Sequence, residues 1–298
     1  MTTATSFDQY LERVSRGDAL PLEVVRELTA NPDILPLGML ADAMRDRLHG
    51  RRATFLRVAS LPWDGPRDVP TGAKAIRLSG APDTLDAAVA AVATARAAAG
   101  SRTVSAFAWG DVTRWAEATG QSVGQTLAAL RAAGLDEIAG LSVDRVSDVG
   151  AMVEALAAAG FSELCLQVDR PGAADRVDLW ATVDALQQRL GCVRAISPLP
   201  GVIAFMKPTT GYDDVKMLAS ARLAAPHVPS VQVDWAKYGP KLAQVALTFG
   251  ADDVDNVSGS DEAPEGRRRA PLEEIRRNIQ AAGLEAVERD GRFTAVTG

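Results

Sequence analysis

Thiols and imidazoles are scarce in this chain. Its 298 residues hold two cysteines, Cys165 and Cys192, and two histidines, His49 and His227. Two thiols in separate segments make neither a disulfide framework nor a zinc knuckle, and two distant histidines do not complete a zinc site. Both cysteines are expected to be ordinary buried thiols of a reducing compartment. His49, beside Gly50, is expected at a helix end, and His227, between Pro226 and Pro229, in a loop. No run approaches the ~20 consecutive apolar residues of a membrane span. The start, MTTATSFDQY, lacks the basic and apolar regions of a secretory signal. A net charge of −6 argues against the basic surface that grips nucleic acid. The expectation is a cytoplasmic protein with no nucleic-acid partner and no membrane partner. There is no Walker loop, no Gly-x-Ser-x-Gly elbow and no His-Glu-x-x-His helix.

Hydrophobic residues make up 47% of the chain, enough for a packed core, while aromatics are only 5%. The chain carries a segmental rhythm. Helical patterns close on Gly100, Gly134, Gly160, Gly191, Gly250 and Gly283, because glycine past a helix end takes positive φ without steric cost. Val146, Val149, Met152, Val153 and Leu156 recur at helical spacing, as do Leu179, Trp180, Val183, Leu186 and Leu190. Strand-like runs lie between: Ala53–Val58, Ala73–Leu78, Thr103–Phe107, Phe161–Val168, Val193–Ser197, Ser230–Trp235 and Ala251–Asp255. Several are nearly continuous apolar runs, as in parallel strands covered on both faces. The closures fall at the spacing of a βα unit. This predicts an α/β fold, a TIM-type (βα) barrel of six to eight units in one domain spanning 1–298. Residues 1–50 form a helical lead-in, 51–257 the barrel, and 258–298 a loop, a helix from Pro271 to Ala282 and a short hairpin through Phe293.

Barrel enzymes act at the carboxyl ends of their strands. That rule selects Trp109 and Asp111, then Asp169 and Arg170, Asp234 and Trp235, and Asp255 with Asn256. Asp111, Asp169, Asp234 and Asp255 are the candidate acids or bases; Trp109, Arg170, Trp235 and Asn256 are candidate ligand contacts. Each has an ordinary alternative as a helix cap or solvated loop residue. The run Arg267–Arg269, beside Asp261, Glu262 and Glu265, reads as a solvated mixed-charge loop.

Two stretches carry a family resemblance: LGMLADAMRDRLHGRRATFLRV, residues 37–58, and GYDDVKMLASARLAAPHVPSVQVDWAKYGPKLAQVALTFGADDVDNV, residues 211–257. A third, IRRNIQAAGLEAVERD, covers residues 275–290, and SVGQTLAALRAAGLDEIAG, residues 122–140, is looser. Together they resemble the futalosine-pathway enzymes of menaquinone biosynthesis, aminofutalosine synthase and dehypoxanthinyl-futalosine cyclase, with the deazaflavin-cofactor synthases as relatives. Active members of that family are radical S-adenosylmethionine enzymes. Three cysteines after the first barrel strand hold a four-iron cluster there.

The corresponding loop here, ASLPWDGPRDVPTG at residues 59–72, has no cysteine. The resemblance therefore implies a radical-SAM-like barrel with no 4Fe-4S cluster and no other metal. The glycine-rich turn expected after the second strand keeps only Gly80 and Pro82 of RLSGAPDT, which argues against S-adenosylmethionine binding. The phrases GLSVDR (140–145) and LQVDR (166–170) replace family site motifs. Among retained residues, Asp255 and Gln244 are those the resemblance connects to a ligand, and Asn256 stands where glycine is usual. Two functions follow as expectations. One is a pseudoenzyme that binds a pathway metabolite or pairs with an active futalosine-pathway enzyme. The other is a cluster-independent lyase or hydrolase using the four aspartates. A fold alone does not choose between them.

Overall fold

Three helices precede the first strand, in line with the expected lead-in: α1 (Phe7–Arg16), α2 (Leu22–Ala30) and α3 (Leu35–His49). A computed structural model describes residues 6–65, 68–170, 176–201, 210–266 and 268–296; Arg267 of the arginine run lies outside them. The barrel elements then follow: β1 (Arg52–Pro62), β2 (Ala75–Ser79), α4 (Leu85–Ala99), β3 (Thr103–Ala108), α5 (Trp109–Thr119), α6 (Val123–Ala132), β4 (Glu137–Ser142), α7 (Val149–Ala158), β5 (Leu164–Val168), α8 (Val177–Leu190), β6 (Val193–Pro200), α9 (Gly211–Ala224), β7 (Ser230–Asp234), α10 (Trp235–Ala246), β8 (Asp253–Ser258), α11 (Pro271–Ala281) and β9 (Glu285–Arg289).

Strands β1 to β8 are parallel neighbours in sequence order, and β1 pairs with both β2 and β8, so the sheet closes on itself. The fold is an eight-stranded (βα)₈ barrel of the TIM type, at the upper end of the six to eight units expected. All six glycines expected past helix ends have positive φ, from 59° at Gly100 to 102° at Gly134. Helix α4 starts on the Thr84 hydroxyl and α7 on the Asp148 carboxylate, each accepting the N–H three residues on.

Several boundaries move. β1 runs on to Pro62, past the expected end at Val58, so the first residues of the expected loop, Ala59–Pro62, are strand. The run from Phe161 joins the sheet only at Leu164, and the run from Ala251 shifts to Asp253–Ser258. Trp235 opens a helix instead of ending a strand. β4 was not among the predicted runs, because EIAGLS mixes Glu137 and Gly140 with its apolar residues.

The tail adds a feature that no run foretold. The predicted hairpin exists, with a bridge between Arg289 and Ala295, but its first arm, β9, also lies parallel to the lower half of β1. β1 thus pairs with β9 over Arg52–Leu56 and with β2 over Val58–Pro62. The hairpin tucks under the barrel at the amino-terminal ends of the strands. Gly291 lies against Thr103, the first residue of β3, and the Phe293 ring is covered by the guanidinium groups of Arg289 and Arg194 at 3.9 and 4.7 Å.

Candidate functional site

Alternate residues of a barrel strand point inward. Here the inward set is polar: Arg77 on β2, Glu137 on β4, Gln167 on β5, Ser197 on β6, Gln232 on β7 and Asp255 on β8 line a central cavity of about 70 Å³. Arg289 and Phe293 of the tail hairpin line it from below, and Lys237 and Tyr238 of α10 from the carboxyl end.

Two ion pairs cross this interior. Arg77 donates from both terminal nitrogens to Asp255, at 2.9 and 3.3 Å. Arg289 donates to both oxygens of Asp253, at 2.6 and 2.7 Å, and this pair is almost wholly buried. Asp253 also accepts from Thr54 (2.5 Å) and Gln232 (2.9 Å), and Ser197 donates in turn to Gln232 (3.3 Å). A buried carboxylate with this many charge-assisted donors is fully satisfied. Burial pushes the Asp255 carboxyl up, but the Arg77 and Arg289 guanidinium groups outweigh it and leave its pKa below the usual range. Burial acts unopposed enough on Glu137 to raise its pKa, although Arg77 pulls the other way. The Cys165 thiol is raised well above its ordinary value by burial and by the neighbouring Glu137 carboxyl.

At the mouth, Asp234 ends β7 and caps α10, accepting the Lys237 N–H at 2.9 Å. Asn256 holds both Asp234 oxygens, at 3.2 and 3.1 Å. Asn256 has φ of 61°, and asparagine is among the residues that tolerate the left-handed region best after glycine. Asn256 therefore holds a left-handed turn and adds an amide that fixes Asp234. α10 breaks at Gly239 (φ 72°), so Pro240 starts a fresh helical run, the first-turn position expected for it. The Tyr238 hydroxyl donates to the Pro200 carbonyl at 2.6 Å, and burial followed by the Asp214 and Asp234 charges raises its pKa.

Of the residues selected from sequence, Asp234 and Asp255 meet at the central cavity. Trp235 and Asn256 line an adjoining groove of about 490 Å³, beside the end of β1. Trp109 and Asp169 line a third groove, about 750 Å³, between α5 and α7. Asp169 accepts from Gln167 at 3.2 Å and lies 3.7 Å from Arg145, while Arg170 is exposed and gives its N–H to Asp144 at 2.8 Å. Asp111 is a helix-start residue: it accepts the Ala108 N–H at 3.0 Å and pairs with Arg114 at 2.9 Å. Gln244 is half-buried in the second half of α10 and is not among the residues lining the cavity.

His49 ends α3 beside Gly50 and contacts the Pro229 carbonyl. His227 pairs with Asp184 at 2.8 Å. Arg77, Glu137, Gln232, Lys237 and Arg289 were missed. For Arg77, Glu137 and Gln232 the signal was present as polar residues alternating with apolar ones in AIRLS, EIAGLS and SVQVD, a pattern that a two-sided buried strand has no reason to carry.

The class so defined is a TIM-type barrel with a polar interior that opens toward the carboxyl ends of its strands, where such barrels act. No protein-family profile matches the chain. Among curated proteins it is similar to the 5-amino-6-(D-ribitylamino)uracil–L-tyrosine 4-hydroxyphenyl transferase of Archaeoglobus fulgidus, 29% identical over 217 residues, 63% of each chain. It is 38% identical to the aminodeoxyfutalosine synthase of Thermus thermophilus, over 97 residues that make 30% of this chain and 25% of that one. The chain thus spans less than two thirds of the curated relatives it matches, and the futalosine likeness is confined to a shorter stretch than the transferase likeness. Among solved structures, the [FeFe]-hydrogenase maturase HydG superposes with a TM-score of 0.68 at 15% identity, covering 95% of this chain and 76% of that one. Methylornithine synthase (PylB) does so with a TM-score of 0.62 at 14% identity, covering 93% and 97%. This chain shares the barrel fold of both structures. No helix among the described residues is long and apolar enough to cross a membrane.

Proposed function

We propose that this chain is a radical-SAM-like pseudoenzyme that holds no iron–sulphur cluster and uses its barrel to bind a small polar metabolite. The observation that carries the reading is a polar cavity kept intact beneath a strand end that has no thiol. The donor set after β1 does not fit a cysteine-ligated cluster: residues 59–72 contain no cysteine. That segment is tied to β2 instead, with the Trp63 N–H on the Ser79 carbonyl and its ring against Gly80. A cluster needs several thiolates close together. Cys165 sits on β5, where burial and Glu137 oppose its ionisation, and Cys192 is buried before β6, where burial also raises its pKa.

The metabolite belongs, on this reading, to the chemistry named for the relatives: a futalosine-type compound, or the ribitylaminouracil and tyrosine named for the archaeal transferase. A role beside an active enzyme of that chemistry, in the cytoplasm, is part of the same proposal. A second reading, a cluster-independent enzyme, draws on Glu137, a carboxyl with a raised pKa in a polar cavity, as a general acid.

Anaerobic reconstitution with iron and sulphide tests the main reading. Desalted protein is expected to carry no stoichiometric iron and to leave S-adenosylmethionine uncleaved in the presence of a strong reductant. Bound iron with reductive cleavage would overturn it. Turnover of a futalosine-type compound by the iron-free protein, lost in Glu137→Gln, would select the second reading.

A further inference from the structure

The floor of the central cavity carries an unbalanced charge. Glu137 opens β4, at the amino-terminal end of the strand, and so lies deep in the barrel. The charged and titratable groups around it come from every side: Arg77 on β2, Cys165 on β5, Asp253 and Asp255 on β8, and Arg289 on β9. Both arginines are already taken. Arg77 is held by Asp255 through two hydrogen bonds and Arg289 by Asp253 through two more. Two guanidinium groups thus face three carboxyls. Glu137 has no ion-pair partner within 4 Å among the described residues, and the surface it leaves uncovered faces the cavity.

The opposite arrangement holds at the mouth. Lys237 lies in the first turn after β7, beyond Asp234, Tyr238 and the strand ends, and its ammonium has no ion-pair partner among the described residues. Asp234 accepts the Lys237 backbone N–H and the Asn256 amide, and it forms no ion pair with the Lys237 ammonium among the described residues. The cavity therefore presents one unpaired carboxyl at its floor and one unpaired ammonium at its rim.

Resting on the metabolite-binding reading above, we propose that Glu137 anchors the protonated amine of a small ligand whose carboxylate faces Lys237. Both side chains line the same cavity, one at its floor and one at its rim. An amine supplies the missing positive charge and donates to a carboxylate that has no ion-pair partner among the described residues. Binding also expels a proton. An incoming ammonium favours the ionised form of a carboxyl whose burial had favoured the protonated one.

The test is isothermal titration of the full chain with three matched probes: 4-aminobutyrate, butylamine and butyrate, with potassium chloride as a fourth. The first two are expected to bind and butyrate is not. Glu137→Gln is expected to weaken both amines tenfold or more, and Lys237→Ala to weaken 4-aminobutyrate alone. Titration over a range of pH in buffers of different ionisation enthalpy is expected to show proton release in the wild type and none in Glu137→Gln, a signature that a merely structural Glu137 would not give. Butyrate binding as well as 4-aminobutyrate, amine binding unchanged in Glu137→Gln, or potassium competing at equal concentration would each overturn the proposal. So would failure of both amines to bind a protein that stays iron-free, an outcome that leaves the cluster-free reading standing.

Discussion

Arg289 shows how much one side chain decides in this interior. Its guanidinium and the Asp253 carboxylate are 2% and 0% exposed. Replacing a buried ion pair as a unit is often tolerated, but removing one partner strands the other charge away from water. Arg289→Ala is expected to lower unfolding free energy by about 3–5 kcal/mol, and Arg289→Met with Asp253→Leu by clearly less; urea titration of both variants checks this. Glu137 leads to the opposite expectation. Its folded pKa is raised, so its contribution to stability is fully present below the unfolded glutamate value of about 4.3 and is lost as pH rises through the folded value. Glu137→Gln is therefore expected to melt higher than the wild type at pH 7.5, with the gap closing near pH 4. A lower melting point at pH 7.5 would show that Glu137 is compensated by a partner.

At the scale of elements, the tail hairpin is the part that reading by runs left least determined. Helix α11 and a hairpin were both readable, from Pro271 at the first turn and Gly283 past the end. The pairing of β9 with β1 was not, because that register depends on a gap left by a strand some two hundred residues earlier. The contact at Gly291 fixes the fit: a Cβ there would stand 1.8 Å from the Thr103 hydroxyl. Gly291→Ala is expected to cost about 1–3 kcal/mol by overpacking. Thr103→Ala in the same chain is expected to recover part of that loss, so the double variant is less destabilised than the sum of the singles. Additive values from thermal melts would argue that the hairpin does not bear on β3.

For the molecule as a whole, barrel closure gathers acidic groups from distant segments, and acid is the expected weak point. Asp255 has a depressed folded pKa, so its stabilisation is complete above the unfolded aspartate value of about 3.9 and is lost as pH falls through the folded value. Unfolding free energy by urea is expected to fall steeply between pH 5 and pH 3, and Asp255→Asn is expected to flatten that slope. An unchanged slope in the variant would place the acid sensitivity elsewhere.

Local chemistry was enough to determine the helices, their glycine ends, most strands and the (βα) repeat, because each depends on spacing and backbone preference within a few residues. The lack of any cysteine in residues 59–72 was legible there as well. Which side of each strand faces inward, and which arginine meets which carboxylate, depended on closure. Asp255 needed Arg77 from the far side of β1, and Arg289 came up from the tail. Those pairings are made where barrel closure brings the last strands beside the first, and sequence distance says nothing about that.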